Sequence, residues 1–310
     1  MILTVTINPS LDTLYQVKRY TQNAVNRVYE TNVTAGGKGL NVARVAAALG
    51  GPVTAAGILG GYNGQKFLSL LPKGITAAFT QVPGETRCCI NVHDDATGQH
   101  TELLEGGVPI SPAALDEFRA MFAAQLQKCT VVTLNGSLLP GCPEPLYAEL
   151  IGMAHRAQKP VLLDTSGAGL RAGIPALPTL IKPNADEIAQ LTGRPVTSLP
   201  QALDAARALH EKGVPWVVVS LGRDGAIIVC DQGVFRAKNP ALAVVNTVGC
   251  GDSMIAGFAV SIARKRDAVT CIRTAMAAAA ANALTASTGS IRLEDYTRLL
   301  PQITVEKWQG

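Results

Sequence analysis

Two hydrophobic rhythms alternate along the chain. Short, nearly unbroken apolar runs are followed by stretches with apolar residues at helical spacing. "ILTVTIN" (Ile2 to Asn8) is rich in β-formers and stops at Pro9. "GLNVARVAAALG" (Gly39 to Gly50) reads as a helix that ends on paired glycines, and "PVTAAGILG" (Pro52 to Gly60) as the next strand. The rhythm returns in "TVVTLNG" (Thr130 to Gly136), "PVLLDTSG" (Pro160 to Gly167), "TLIKPN" (Thr179 to Asn184) and "PWVVVSLG" (Pro215 to Gly222). Each run is expected to lead into a helix. Apolar runs without alternation predict strands covered on both faces, and so an α/β fold with a mostly parallel sheet.

Two regions break the rhythm. Tyr15 to Thr34 and Glu85 to Glu105 read as extended chain with polar residues interleaved, and Asp94 to Gly98 as a hairpin turn between strands. They predict a small second sheet outside the main one. The Ala-rich stretch Ala275 to Leu284 is too short to span a bilayer and reads as a closely packed buried helix.

Polar residues gather where the apolar runs end: Asn8 and Asp12, Asn135 and Ser137, Asp164, Lys182 and Asn184, Ser220 and Gly222. Ligands of open α/β sheets bind beyond the carboxyl ends of the strands. Polar turn residues also belong at strand ends, so the clustering, rather than any one residue, predicts a site.

Composition narrows the function classes. The 310 residues are 47% hydrophobic, enough for one large α/β domain. A net charge of +4 without Lys/Arg runs predicts no nucleic-acid partner. Seven cysteines without regular spacing suit a reducing cytoplasm, and four scattered histidines give no zinc pattern. The first residues, "MILTVTINPSLD", lack the basic start of a secretion signal, and no membrane partner is expected.

The motifs carry the chemistry. "NTVGCGDSMIAGFAV" (Asn246 to Val260) places Gly249, Cys250, Gly251 and Asp252 at the mouth of an apolar helix. The glycines admit a ligand close to the backbone, the helix start favours an anion, and Asp252 can accept a proton from a hydroxyl. The competing reading is an ordinary aspartate helix cap. At this helix start the Cys250 thiol is expected to be acidic and readily alkylated. "TAGGKGLNVAR" (Thr34 to Arg44) is a second glycine-rich helix entry, without a Walker or dinucleotide spacing, that brings Lys38 and Asn41 to a loop. "IKPNADE" offers Lys182, Asn184 and Glu187; Asn184 by itself reads best as a helix cap. "VSLGRDGA" reads as a turn between two strands. Arg27 and Arg87, in the two outlying segments, are either solvated or a pair forking onto one phosphate.

Taken in order, "TINPSLD", "VNRV", "TAGGKGLNVARV", "GETRCCI", "TELLEGG", "NGSLLPG", "LLDTSG", "IKPN", "VSLGRDGA" and "NTVGCGDSMIAG" resemble the PfkB family of the ribokinase-like superfamily, over nearly the whole chain. The last is close to that family's G-A-G-D signature, with Cys250 where alanine or serine is usual. In "NGSLLPG" the proline stands one place later than in the common pattern. Within the family the motifs look most like those of tagatose-6-phosphate kinases and 1-phosphofructokinases.

The resemblance implies a ribokinase-like three-layer α/β/α domain over residues 1–310. A β-sheet lid of roughly 12–34 and 85–107 would also serve as a homodimer surface. It implies a cytoplasmic, ATP- and Mg²⁺-dependent kinase that converts a ketohexose phosphate to its 1,6-bisphosphate. D-tagatose 6-phosphate comes first, fructose 1-phosphate second and fructose 6-phosphate third; a catalytically inactive sugar-phosphate sensor is the alternative of another class. Asp252 would be the general base, and the amides of Gly249, Cys250 and Gly251 the anion hole. Asp12, Gly37, Lys38 and Asn41 would bind the sugar, with Arg27, Lys38 and Arg87 on its phosphate and Ser137 nearby. Lys182, Asn184, Glu187, Ser220, Gly222, Gly225, Asn282 and Ser287 would line the ATP side, Glu187 reaching Mg²⁺ directly or through water.

Overall fold

The computed structural model describes residues 1–308. The chain opens with β1 (Ile2–Thr6), β2 (Ser10–Val17), β3 (Val28–Gly36), α1 (Lys38–Ala48), β4 (Val53–Gly60), α2 (Gly61–Ser69) and β5 (Ile75–Val82). There follow β6 (Arg87–Asp94), β7 (His100–Leu104), α3 (Pro112–Leu126), β8 (Val131–Asn135), α4 (Leu146–Arg156), β9 (Val161–Asp164) and α5 (Gly167–Gly173). Next come β10 (Leu180–Ile181), α6 (Ala185–Thr192), α7 (Leu199–Glu211), β11 (Trp216–Ser220), β12 (Ala226–Cys230) and β13 (Gly233–Lys238). The last elements are α8 (Cys250–Ala263), α9 (Ala268–Ala283), α10 (Leu293–Leu299) and β14 (Thr304–Lys307).

The main sheet has ten strands in the order β14-β13-β12-β11-β10-β9-β8-β1-β4-β5. From β11 to β5 every pairing is parallel. Parallel strands are covered on both faces, which is why β4 and β8 are buried along their whole length. Successive side chains divide between two cores. Ile2, Val53, Val131 and Leu162 pack with residues of α1, α8 and α9. Leu3, Val132 and Leu163 pack with residues of α3, α4 and α7 on the other face. The result is a three-layer α/β/α arrangement.

One expectation of the rhythm fails. The run at 216–220 leads into no α-helix, only a single 3₁₀ turn over Gly222–Asp224. Residues 221–225 turn tightly, Leu221 N–H donating to Gly225 O at 2.9 Å, and β12 returns antiparallel to β11. A loop this short cannot make a parallel crossover, so the sheet finishes in three antiparallel edge strands.

The two outlying segments form the expected second sheet, ordered β3-β2-β6-β7. Its first strand starts earlier than the polar pattern suggests, because Ser10 already pairs with Gly36 and with Arg87. The turn at Asp94 closes as expected, Gly98 N–H donating to Asp94 O at 2.8 Å. Strand β7 is exposed throughout, including Leu103 and Leu104.

The Ala-rich run forms most of α9, and its small side chains let α8 come close. A Cβ on Gly257 would lie 2.5 Å from the Ala275 Cα, a backbone atom that cannot step aside. Gly257→Val should therefore force the two helices apart and cost about 1–3 kcal/mol. Urea unfolding should show a lower midpoint; an unchanged midpoint would mean that the helix pair has slack.

Candidate active site

All parallel strands deliver their carboxyl ends to one edge. Residues Asn135 and Asp164 are in register at the ends of β8 and β9, Lys182 follows β10, and Ser220 ends β11. An isolated bridge joins Asn184 to Ser220. Strand β1 lies between β4 and β8, where the sequence order of the strands reverses, the place where open α/β sheets leave a crevice. Helices α1 and α8 start over the same edge.

The loop before α8 is held open by its packing. Gly249 has φ 82°, and a Cβ there would stand 2.6 Å from the Gly289 N. Asn282 is completely buried; its Nδ2 donates to Val248 O at 2.9 Å and its Oδ1 accepts from Ser290 N–H at 3.1 Å. The helix hydrogen bonds begin with Ser253 N–H donating to Gly249 O at 2.9 Å. The Cys250 N–H turns back onto Thr247 O at 3.3 Å. The N–H groups of Gly251 and Asp252 find no acceptor among the described residues. The Gly249 N–H likewise has no acceptor among the described residues, so of the three motif amides only that of Cys250 is engaged. A helix N-terminus with free amides attracts anions.

Asp252 is 6% exposed. Asn41 Nδ2 donates to its Oδ2 at 2.7 Å. Burial, and then the neighbouring Asp164 charge, push its carboxyl up to about 6 against the pull of Lys38, Asn41 and Lys182. Lys182 Nζ stands 3.4 Å from Asp164 Oδ1, both groups buried. Asp164 and, more weakly, Asp252 and Glu187 hold the Lys38 ammonium above its usual range, against the opposing effect of partial desolvation of this surface-exposed residue. Two carboxylates and two ammonium groups therefore meet under the α8 N-terminus. Asp164 carries no assigned role in the sequence, where it stands among the polar strand ends and within the "LLDTSG" motif. Its Oδ2 is buried without a partner.

Beside this centre, Asp12 accepts a hydrogen bond from Ser10 Oγ at 2.6 Å. Burial raises its carboxyl above the ordinary range, with Ser10, Arg44, Arg87 and the Gly37 amide pulling the other way. Asn8 ties the small sheet to the crevice: its Nδ2 donates to Gly106 O at 3.0 Å and reaches Ser137 Oγ at 3.4 Å.

Several expected site residues have other duties. Arg87 spends its terminal nitrogens on Glu105 O and Asn8 O, each at 3.1 Å. Arg27, exposed just before β3, sits at the far end of the small sheet. Arg87 sits at the Gly36 end, and eight extended residues at ~3.3 Å each put the two about 26 Å apart. The two arginines of one chain therefore do not fork onto one phosphate. Asn184 and Glu187 form a reciprocal capping box on α6, as the cap reading has it; Glu187 Oε2 accepts from Asn184 N–H at 2.9 Å. Gly222 and Ser287 are exposed, whereas Gly225 is buried against Ala237 of β13. Asn282 is a buried clamp of the loop.

The Cys250 thiol also departs from expectation. Burial raises it, and this outweighs the Asn282 hydrogen bond. Iodoacetamide at pH 7.5 should label Cys250 more than tenfold more slowly in the folded protein than in urea, by peptide mass mapping; equal rates would restore the acidic thiol.

Comparison with known proteins gives the family and the fold. Residues 6–295 match the model of the pfkB family of carbohydrate kinases. Escherichia coli phosphofructokinase-2, solved with fructose 6-phosphate, is 28% identical with TM-score 0.88, over 97% of this chain and 98% of that one. The same enzyme has been solved as a tetrameric inhibited form. A Thermotoga maritima protein described as a possible 1-phosphofructokinase is 26% identical with TM-score 0.89, over 99% of both chains. Arabidopsis thaliana ribokinase, solved with ribose and ATP, shares the fold at 22% identity and TM-score 0.78, over 96% of this chain and 98% of that one. The chain belongs to the pfkB family of carbohydrate kinases and is a sugar kinase.

Proposed function

We propose that the chain transfers the γ-phosphoryl group of ATP to a free primary hydroxyl of a ketohexose phosphate, giving a 1,6-bisphosphate. One observation carries this reading: the buried Asp252 carboxylate lies beside the unpartnered amides of Gly251 and Asp252, with Lys38 and Lys182 close by. A carboxyl near 6 is ionised at neutral pH yet basic enough to accept a hydroxyl proton. The amides and ammonium groups stabilise the phosphoryl oxygens during in-line transfer, where positioning and charge do most of the catalysis.

Magnesium fits the donor set. Asp164 Oδ2 is an orphaned buried acceptor, and the capping box leaves Glu187 Oε1 free. Mg²⁺ keeps several waters and substrate phosphates, so two carboxylates suffice to receive it with the nucleotide. When bound, it would neutralise phosphate charge.

Among substrates, D-tagatose 6-phosphate, phosphorylated at its 1-hydroxyl, is the first choice, on the "NPSLD", "GGKGLNVAR", "GETRCCI" and "TELLE" motifs. Fructose 1-phosphate is the alternative, supported by the Thermotoga neighbour. An ADP-release assay comparing these with fructose 6-phosphate at limiting concentration ranks them by kcat/KM. Tagatose 6-phosphate should lead; a leading fructose 1-phosphate would transfer the assignment. The activity should rise with pH through about 6, as Asp252 loses its proton. Asp252→Asn should lower kcat by about a thousandfold or more while leaving sugar-phosphate binding within a few fold. Undiminished turnover would refute the general-base role.

We further propose one kinase unit in which the small sheet is a lid that closes over the crevice and excludes water. Its irregular cysteine content supports a cytoplasmic location. Among the described residues, no helix is long and apolar enough to cross a membrane. Val28, Tyr29, Leu103 and Leu104 are exposed on the lid, which supports a homodimer through that face. Arg27 would then serve a substrate phosphate only where the lid of a second copy carries it. Sedimentation velocity should give a dimer, and the pair Leu103→Asp and Leu104→Asp should give a monomer; an unaffected dimer would place the interface elsewhere.

A further inference from the structure

Arg44, the last residue of the "TAGGKGLNVAR" entry, has no part in the roles assigned so far. It lies on α1, three residues after Asn41, so both side chains share one face of the helix. Its guanidinium is turned inward, and four of its five N–H donors meet acceptors. Nη1 donates to Ala35 O at 2.7 Å, at the end of β3. Nη2 donates to Asn41 Oδ1 and to Thr288 O, the latter at 3.3 Å. Nε donates to Gly289 O at 3.3 Å. The turn at 288–289 is wedged against Asn41 as well, since a Cβ on Gly289 would fall 2.5 Å from the Asn41 Cβ.

An asparagine amide has two ends of nearly equal size and opposite polarity. If the Asn41 amide turned over, its oxygen would face the Asp252 carboxylate, acceptor against acceptor. Local shape does not forbid this; a donor on the other side does. Arginine offers only donors and keeps its charge even when buried. With Arg44 on Oδ1, only Nδ2 is left to face Asp252, as observed at 2.7 Å. The groups around Asp252 are otherwise charged: Lys38 on α1, Asp164 on β9 and Lys182 after β10. None of these three hydrogen-bonds to the Asn41 amide, whose only side-chain partners are Asp252 and Arg44.

We propose that Arg44 is a positioning residue that fixes the Asn41 amide so that it donates to Asp252, and thereby holds the carboxylate in its place under the α8 N-terminus. Its anchors are three separate segments: the end of β3, α1 and the turn after α9. The catalytic role of the carboxylate rests on the proposed kinase reading; the orientation of the amide does not.

The test uses the full chain with two variants at opposite ends of the relay, Arg44→Lys and Asn41→Ala, and their double variant. Arg44→Lys keeps the positive charge but cannot fork onto Asn41 and the carbonyls together. The first readout is the ¹⁵N side-chain amide resonance of Asn41 in the ligand-free protein, assigned by its loss in Asn41→Ala. It should be slow to exchange with solvent in the unsubstituted chain. In Arg44→Lys it should shift and exchange at least tenfold faster, in an otherwise dispersed, folded spectrum. The second readout is steady-state phosphorylation of the best ketohexose phosphate. Each single variant should lower kcat about tenfold, the size of one hydrogen bond to a charged group, and Arg44→Lys should leave KM within about twofold. The double variant should be no worse than the poorer single one, because both remove the same constraint. An Asn41 resonance unchanged in Arg44→Lys, or kcat losses that multiply in the double variant, would overturn the proposal. A chain without kinase activity would sink the functional reading alone, and the resonance would still decide the role of Arg44.

Discussion

Everything at this site depends on keeping a carboxylate charged inside a protein. Moving an isolated ionised group out of water is very costly, and in an apolar setting it would simply take up a proton. Asp252 escapes that fate only in part. Burial and Asp164 press it toward protonation, while Lys38, Lys182 and the Asn41 amide hold the charge. The balance leaves it near 6, where a carboxyl can both lose and regain a proton. A better-solvated aspartate would be a poor base, and a lonelier buried one would not be ionised.

That balance requires backbone segments from distant parts of the chain to be fixed to each other. The α8 N-terminus is held by Asn282 from α9, and the turn at 289 presses on both Gly249 and Asn41. Arg44 joins the same turn to the end of β3. Most of these contacts are to backbone carbonyls and amides, which have little freedom once their strands and helices are packed. The rigid elements thus supply the geometry, and the polar side chains transmit it to the buried Asp252 carboxylate. The small sheet joins the arrangement at the same point, through Ala35 and, on its other side, through Asn8 and Gly106.

Surface and interior serve different ends in the small sheet. Its inner end meets the crevice, where Asp12 and Arg87 are tied to neighbours. Its edge strand β7 carries exposed leucines that the main sheet does not cover. Large apolar side chains left on a sheet edge favour association with another surface. The same sheet is therefore suited to bounding the site on one side and meeting another molecule on the other.

The sequence alone determined the layered α/β architecture, because unbroken apolar runs suit only strands covered on both faces. It also marked the second sheet, through its polar interleaving, and the two glycine-rich helix entries. The Asn184 cap was legible too, because a capping box is a local device read over four residues. Tertiary structure decided what depends on distance across the chain. Arg27 and Arg87 look like a pair in the sequence, yet the register of β2 with β3 and β6 holds them at opposite ends. The acidity of Cys250 depends on how deeply α8 is covered, which its own helix start does not reveal. Asp164 and Arg44 lie in the "LLDTSG" and "TAGGKGLNVARV" motifs, but neither motif says what they touch. Only the convergence of β9, α1, α8 and the turn at 289 gives them their work, because buried charges act through neighbours that folding, and not chain order, brings near.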